Sequence, residues 1–312
     1  MLRVYFTVII IFALFIVNII LVFKNSQDDS LVIQLASEYI ENTIGQAYIL
    51  PISGPNYIPV LDSDISKPII SAKSAVIYDT HSRRFLYEKN SETKLPIASL
   101  TKVMSAVVIL ENLNLDNIVT IAIDSIRVDG EKQDLYLGEK LSVRNLLKLM
   151  LIESSNDAAY AVMSYAKSRG INFVELMNAE AVKAGMSNSY FIDPAGLNDN
   201  AYSTASDLIK LVEYSLKYHE IWDISAEKTA IVESSDERIK HEIISTNRLL
   251  GLVKDIIGGK TGYTDGALQC MILVTSIPDY PSKIVSVVLG SNDRFGDTQR
   301  LIDWTRAAYS WK

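Results

Sequence analysis

Three short motifs carry the residues of this sequence that could do chemistry. The first is Ser-Leu-Thr-Lys at residues 99–102, the second is Ser-Ser-Asn at 154–156, and the third is Lys-Thr-Gly at 260–262. On a helix, positions i and i+3 are neighbours on one face, so Lys102 can reach the Ser99 hydroxyl. A serine hydroxyl is a weak nucleophile and needs an adjacent base. The spacing therefore predicts a nucleophilic serine that a lysine activates.

A lysine accepts a proton near neutral pH only if its pKa is lowered, either by removal from water or by a second nearby cation. Lys260 is the candidate for that second cation. A helix that starts at Ser99 adds unpaired backbone N–H groups and the positive end of its dipole, which stabilise developing negative charge. The histidines, His81, His219 and His241, lie in no nucleophile-like context, so the lysine is the predicted base.

Hydrophobic patterning predicts the elements that position these motifs. The sequence that follows Pro96 predicts a helix that carries Ser99 and Lys102. Residues 142–153 predict a second helix that ends before the Ser154 motif. A hairpin is predicted from strands at 75–80 and 84–90, and an antiparallel meander from strands at 256–264, 267–277 and 283–291. Further helices are predicted at 157–170, 173–185, 205–219 and 297–312.

Together and in this order, the motifs resemble the S-x-x-K, S-D-N and K-T-G set of penicillin-binding proteins and class A β-lactamases. The surrounding text (LPIASLTKVMSA, ESSNDAA, YFIDPAGLN and GGKTGYTDGALQC) is similar to the D-alanyl-D-alanine carboxypeptidase family, serine peptidase family S11, over residues 70–312. The resemblance implies an α+β fold of the penicillin-binding type. An antiparallel sheet of about five strands, formed by both ends of the domain, would carry helices on both faces and a mainly helical insert with Ser154.

The resemblance also implies the activity and its catalytic residues. It implies a serine-type D-Ala-D-Ala carboxypeptidase that acts on peptidoglycan stem peptides through an acyl-enzyme, without a cofactor, and that β-lactams inhibit covalently. Ser99, Lys102 and Ser154 would be catalytic, with Ser154 relaying a proton between Lys102 and the leaving amine. The oxyanion hole would consist of the backbone N–H groups of Ser99 and Tyr263.

Five residues are implied to bind substrate: Asn156, Lys260, Thr261, Gly262 and Tyr263. Asn156 would hold the substrate amide together with the lysine, and Lys260 and Thr261 would bind a substrate carboxylate. Gly262 would leave room for the substrate backbone to lie along the strand. Arg294, followed by phenylalanine as at an Arg-Phe position of the family, is a further candidate for carboxylate binding.

Three alternatives stay open at this point. A chain that ends after the helix at 297–312, without the β-rich second domain of larger carboxypeptidases, resembles the DD-endopeptidase branch, which cuts peptidoglycan cross-links. The segment Asp193-Pro-Ala-Gly-Leu197-Asn198 lies at a place comparable to the Glu-x-x-Leu-Asn loop of a class A β-lactamase, although Pro-Ala-Gly at 194–196 is typical of a type II turn. A non-catalytic wall-binding protein would have lost a motif residue, and none is lost.

An N-terminal apolar segment explains why mean hydropathy is positive, at +0.15, in a chain of net charge −7. Residues 4–23 contain only Thr7 and Asn18 outside the apolar set, and about 20 apolar residues suffice to cross a bilayer. A cleaved signal peptide is the alternative, but the apolar run exceeds the usual 7–15 residues of such peptides and no Ala-x-Ala cleavage site follows, so the segment predicts a single-pass signal-anchor. Residues 1–3 would be cytoplasmic, 24–70 an extracytoplasmic stalk, and 71–312 the peptidase domain at the cell-wall side of the membrane.

Composition excludes several other classes of protein. Asp and Glu (37) outnumber Lys and Arg (30), which argues against nucleic acid as a partner. A single cysteine, Cys270, excludes an internal disulfide and any zinc site built from several cysteines. Its position in an apolar run predicts a buried, inert thiol, and the scattered histidines predict no metal site.

Overall fold

The computed structural model describes residues 57–127 and 135–312, together with Ile16. The chain divides into two units, Met1–Pro55 and Asn56–Lys312. The predicted tail, the predicted anchor (apart from Ile16) and residues 24–56 of the predicted stalk lie outside the described residues. Among the residues that are described, no helix is both long enough and apolar enough to cross a bilayer.

Strands and helices alternate irregularly along the second unit. The strands are β1 (Pro59–Leu61), β2 (Ser74–Asp79), β3 (Arg84–Lys89), β4 (Ile118–Thr120), β5 (Lys140–Ser142), β6 (Thr229–Glu233), β7 (Lys240–Ile244), β8 (Ile256–Thr264), β9 (Leu268–Ser276), β10 (Lys283–Ser291) and β11 (Tyr309–Trp311). The α-helices are α1 (Thr101–Asn112), α2 (Ile123–Ile126), α3 (Val143–Lys148), α4 (Asn156–Ser168), α5 (Phe173–Lys183), α6 (Ala205–Ser215), α7 (His219–Ser225) and α8 (Arg294–Ala308).

The central element is a five-stranded antiparallel sheet in the order β3-β2-β10-β9-β8. The pairing of β2 with β10 joins the N-terminal and C-terminal parts of the unit, because Val76 of β2 pairs with Val287 of β10. The predicted hairpin and meander are confirmed as β2–β3 and β8–β9–β10. The Lys-Thr-Gly motif therefore lies on β8, at one edge of the sheet, with one side of the strand unpaired within that sheet.

Both faces of the sheet are buried, which the alternation along β9 shows. Cys270, Ile272 and Val274 pack into one apolar cluster with the helical region, whereas Met271 and Leu273 pack into a second cluster with α8. Burial raises the pKa of the Cys270 thiol to about 11, which keeps it a structural residue, as predicted. The two clusters fix the position of β8 relative to the helices on either face.

Three segments differ from the sequence-based prediction. The helix predicted at 142–153 is an α-helix only over Val143–Lys148 and continues as a π-helical turn over Leu149–Glu153. The C-terminal helix ends at Ala308, and Tyr309–Trp311 forms β11 instead, paired with Pro59–Leu61. Residues 59–61, which the sequence predicts to belong to the stalk, therefore pair with the strand at 309–311.

Candidate active site

Ser99 lies in a 3-10 turn, Ala98–Leu100, that leads directly into α1. The prediction placed Ser99 in the first turn of the helix itself. The difference arises at Ala98, whose φ of 47° is left-handed and costs about 1–2 kcal/mol for a residue with a side chain. Such backbone strain occurs at functional sites where the surrounding structure enforces it. Here the turn sets Ser99 immediately before α1, one helical turn from Lys102.

Lys102 is completely buried and makes three short polar contacts. Its Nζ lies 2.8 Å from Ser99 Oγ, 2.7 Å from Asn156 Oδ1 and 3.2 Å from the carbonyl oxygen of Ala195. Burial lowers the pKa of Lys102 from 10.5 to about 7, and the charge of Asp193 opposes the shift. Burial is therefore the principal cause of the lowered pKa, rather than a second cation.

These contacts suit a lysine that exchanges a proton with the serine. A neutral amine has two N–H donors and one lone pair. The donors can bind Asn156 Oδ1 and the Ala195 carbonyl, which leaves the lone pair for the hydroxyl proton of Ser99. After proton transfer, the ammonium has three donors for the same three oxygen atoms. The arrangement can serve both protonation states without moving a side chain.

The loop that supplies the Ala195 carbonyl is organised by Asp193. Its Oδ1 accepts hydrogen bonds from the backbone N–H groups of Ala195, Gly196 and Leu197, and its Oδ2 from that of Asn198. The sequence indicated a turn here but not its contact with Lys102. Because every residue has a carbonyl group, that contact leaves no trace in the pattern of side chains.

Gly196 packs directly against the nucleophile turn, and this gives a first prediction. With φ at +79°, a Cβ at position 196 would collide with the carbonyl of Ala98. We expect Gly196→Ala to lower the free energy of unfolding by about 2–5 kcal/mol, because about 1–2 kcal/mol of left-handed strain adds to about 1–3 kcal/mol for the clash. Urea unfolding of the full-length protein measures this.

Gly170→Ala is the matched control for that substitution. Gly170 has a similar φ of +75°, but nothing lies within 4 Å of a Cβ there. Only the strain of about 1–2 kcal/mol should therefore be lost. Equal losses in the two variants would mean that packing against Ala98 contributes nothing.

Ser154 is held in a strained conformation opposite Ser99. It follows the π-helical turn with φ at 71°, and the next residue, Ser155, caps α4 by accepting a hydrogen bond from the Ala158 N–H at 3.2 Å. Lys260 Nζ donates to Ser154 Oγ at 2.8 Å. The cation of the Lys-Thr-Gly motif thus contacts the serine of the second motif, and the cap on α4 keeps this serine next to Asn156.

An open groove of about 370 Å³ runs between these elements and β8. Its walls are Ser99, Glu153, Ser154, Asn156, Leu197, Thr246, Thr261, Gly262, Tyr263, Thr264, Asp265 and Arg294. Six of the eight predicted site residues line it. The other two, Lys102 and Lys260, are buried next to it, where they contact Ser99 and Ser154. The structure therefore brings all eight predicted residues together.

Gly262 and Arg294 define the β8 side of the groove. A Cβ at position 262 would stand 2.9 Å from the Ile97 carbonyl oxygen and 3.0 Å from the Ser99 nitrogen, so glycine lets the nucleophile turn approach the strand. Arg294 Nη1 donates to the Gly262 carbonyl at 2.8 Å. Burial lowers the pKa of this guanidinium, whose charge a bound carboxylate would stabilise.

Five groove residues were not among the predicted or candidate site residues: Glu153, Leu197, Thr246, Thr264 and Asp265. All but Thr246 lie within the segments that carry the family resemblance, and this was the one available signal. Thr246 had no signal at all, because only long-range packing brings it to β8. Within the described ranges 57–127 and 135–312, no cluster of His, Cys, Asp and Glu is arranged to hold a metal ion.

A serine in contact with a buried lysine, beside the edge of a sheet with helices on both faces, defines a serine hydrolase of the penicillin-binding type. Crystal structures of this type are similar throughout the second unit. The Streptomyces K15 DD-transpeptidase is 28% identical, with a TM-score of 0.71 over 78% of this chain and 100% of that chain. A D-alanyl-D-alanine carboxypeptidase structure from Mycobacterium tuberculosis is 26% identical, with a TM-score of 0.71 over 79% of this chain and 95% of that chain.

The sequence profile of the D-alanyl-D-alanine carboxypeptidase family, peptidase family S11, matches residues 62–293, and the chain belongs to this family. A D-alanyl-D-alanine endopeptidase from Pseudomonas aeruginosa is 32% identical over 75% of this chain and 77% of its own length. The D-alanyl-D-alanine carboxypeptidase DacF from Bacillus subtilis is 30% identical over 76% of this chain and 63% of its own length.

Proposed function

We propose that this protein is a serine-type D-alanyl-D-alanine carboxypeptidase that removes the terminal D-alanine from peptidoglycan stem peptides. The observation that carries the proposal is the contact of 2.8 Å between Ser99 Oγ and the Nζ of Lys102, whose pKa is lowered to about 7. β-Lactam antibiotics, which acylate the nucleophile of penicillin-binding proteins, would act as covalent inhibitors. Family membership and the open groove beside Ser99 support both parts.

Acylation uses the residues around Ser99. Neutral Lys102 accepts the hydroxyl proton as Ser99 Oγ attacks the carbonyl carbon of the penultimate D-alanine. The backbone N–H groups of Ser99 and Tyr263 stabilise the resulting oxyanion. Ser154 passes the proton from Lys102 to the nitrogen of the leaving D-alanine. The C–N bond then breaks, free D-alanine leaves, and an ester joins the stem peptide to Ser99.

Substrate position depends on β8 and on α4. Thr261, Lys260 and Arg294 bind the terminal carboxylate, and Asn156 Nδ2 donates to a substrate carbonyl while its Oδ1 holds Lys102. Water then attacks the ester carbonyl while Lys102 accepts a proton from the water. The bond to Ser99 Oγ breaks, and Lys102 returns the proton to that oxygen. Asp193 is unsuited to activate that water in the manner of a class A β-lactamase, because both its oxygen atoms accept backbone N–H groups.

DD-endopeptidase activity on cross-linked stem peptides is the second candidate. Endopeptidases stand beside carboxypeptidases among the relatives: the aligned region spans 77% of the P. aeruginosa endopeptidase and 78% of the endopeptidase from Escherichia coli. In a cross-link the scissile carbonyl belongs to the same D-alanine, and only the leaving group is larger. One catalytic apparatus therefore serves either reaction, and the space beyond the scissile bond decides between them.

Mass spectrometry of muropeptides distinguishes the two reactions. We expect the full-length protein to shorten monomeric pentapeptide muropeptides by one alanine, which lowers their mass by one residue. Conversion of dimers to monomers, with pentapeptides untouched, would instead establish the endopeptidase. A digest in which neither monomers nor dimers change would contradict both proposals.

Membrane attachment is a separate proposal that rests on the sequence alone. The apolar run at residues 4–23 has the length of a bilayer-spanning helix, and the peptidoglycan substrate lies outside the cytoplasm. We propose a single-pass anchor that places the peptidase domain at the cell-wall side of the membrane.

A further inference from the structure

Thr246 lines the groove, although neither a motif nor the proposed mechanism accounts for it. It follows β7 by two positions, is half-buried and faces the groove beside Thr261. Its backbone N–H donates to the carbonyl of Ile152 at 3.1 Å, within the π-helical turn that precedes Ser154. Thr246 therefore joins the segment that carries Ser154 to the strand that carries the Lys-Thr-Gly motif.

The hydroxyl groups of Thr246 and Thr261 form a hydrogen bond with 2.6 Å between their oxygen atoms. Each hydroxyl has one proton, so only one of the two can donate within the pair. The proton of the other hydroxyl remains available to point elsewhere. Thr261 is almost fully buried, with 3% of its surface exposed, so the direction of the remaining donor is tightly limited.

We infer that Thr246 is a positioning residue for the substrate carboxylate, because it pairs with Thr261 so that the two hydroxyls present one aligned O–H donor to that group. The inference rests on the proposed function, since it assumes that a carboxylate binds beside Thr261. If Thr246 donates, it fixes the proton of Thr261 toward the substrate; if Thr261 donates, the hydroxyl of Thr246 itself faces the carboxylate. Whichever hydroxyl donates within the pair, both hydroxyl groups are needed to present one aligned donor to the carboxylate.

Two variants separate this role from packing. Thr246→Val keeps the shape of the side chain and the backbone bond to Ile152, but it removes the hydroxyl. Thr246→Ser keeps the hydroxyl and removes only the methyl group. A loss in the valine variant that serine restores is therefore due to the hydrogen bond.

Two thioester substrates separate carboxylate binding from catalysis. Benzoyl-D-alanine thioesters of thioglycolate and of thioglycolamide have the same scissile bond, and only the first ends in a carboxylate. For full-length Thr246→Val we expect KM for the thioglycolate ester to rise about tenfold, the effect of one hydrogen bond to a charged group, with kcat within twofold of the wild type. For the thioglycolamide ester, which lacks the carboxylate, kcat/KM of Thr246→Val should stay within twofold of the wild type. Thr246→Ser should match the wild type on both esters.

Equal losses on both esters in Thr246→Val would overturn the inference, because they indicate a general effect on the groove. An unchanged KM for the thioglycolate ester would overturn it as well. A wild-type protein that hydrolyses neither ester would contradict the proposed function itself. That outcome is distinct from the two that overturn the inference, because both of those are measured on a wild-type enzyme that is active.

Discussion

Full-length protein with Ser99→Ala is expected to take up no fluorescent penicillin, whereas the wild type becomes labelled at one site per chain. The Oγ atom is the one that forms the ester, so its removal leaves nothing for the β-lactam carbonyl to acylate. Residual catalysis from an oxyanion hole does not produce a covalent adduct. We therefore expect loss of labelling to below detection on a denaturing gel.

The matched control for that experiment is Ser168→Ala, at the exposed C-terminal end of α4. It should label as the wild type does, and both variants should unfold at the temperature of the wild type. Mass spectrometry of the labelled wild type should place the adduct on a peptide that contains Ser99. Stoichiometric labelling of Ser99→Ala would show that another residue is the nucleophile.

Lys102→Met is expected to slow penicillin acylation by about 10²- to 10⁴-fold, the usual contribution of a positioned general base. Methionine fills a similar apolar volume but cannot take the proton of Ser99. Lys102→Arg is the matched variant that keeps a cation, and it should be equally slow because a guanidinium does not deprotonate near neutral pH. Stopped-flow measurement of the acylation rate gives all three values.

The same measurement has an expected pH dependence. Because burial lowers the pKa of Lys102 to about 7, the amine is protonated and inactive below this pH and becomes a base above it. The acylation rate of the wild type should rise about tenfold per pH unit below pH 7 and level off above it. The two variants should lack this transition. A wild-type rate that is constant from pH 5 to pH 9 would contradict the assignment of Lys102 as the base.

Stability measurements check that Lys102→Met is folded. The unfolded chain holds the Lys102 proton up to its ordinary pKa of 10.5, whereas the folded protein loses it near pH 7. Between these values the unfolded state binds more protons, so the contribution of Lys102 to stability increases with pH. At pH 7 and below, the wild type bears the full cost of a charged lysine in a buried site. Lys102→Met lacks that cost, so its gain in stability relative to the wild type should be clearest there.

The sequence singled out motif residues that lie together in the structure, but it did not predict the backbone conformations that carry them. The motif residues are recognisable because their side chains do the chemistry and their spacing follows the helix. The π-helical turn at Leu149–Glu153 was missed because its apolar pattern is equally typical of an α-helix. The left-handed conformation of Ser154 has no signal in a serine, since packing and the cap on α4 enforce it rather than local propensity.

Two parts of the site that escaped prediction, the Ala195 carbonyl and Thr246, depend on contacts distant in sequence. The Ala195 carbonyl reaches Lys102 only because Asp193 folds its loop and Gly196 fits against Ala98. Thr246 reaches Thr261 only because β7 ends beside the π-helical turn. The fold class was predictable because the three motifs and the sequence around them resemble a family of known fold, whereas such individual contacts need the assembled structure.

The pairing of β2 with β10 has a consequence for biosynthesis. Val76 and Val287 lie about 200 residues apart, so the sheet cannot close until the segment around Val287 has left the ribosome. Helices form through contacts local in sequence and can form earlier, whereas long-range strand pairing is slow. Ser99 meets the Lys-Thr-Gly strand only in that final step. The nascent chain is therefore inert toward peptides and β-lactams alike, and its reactivity appears only with completed folding.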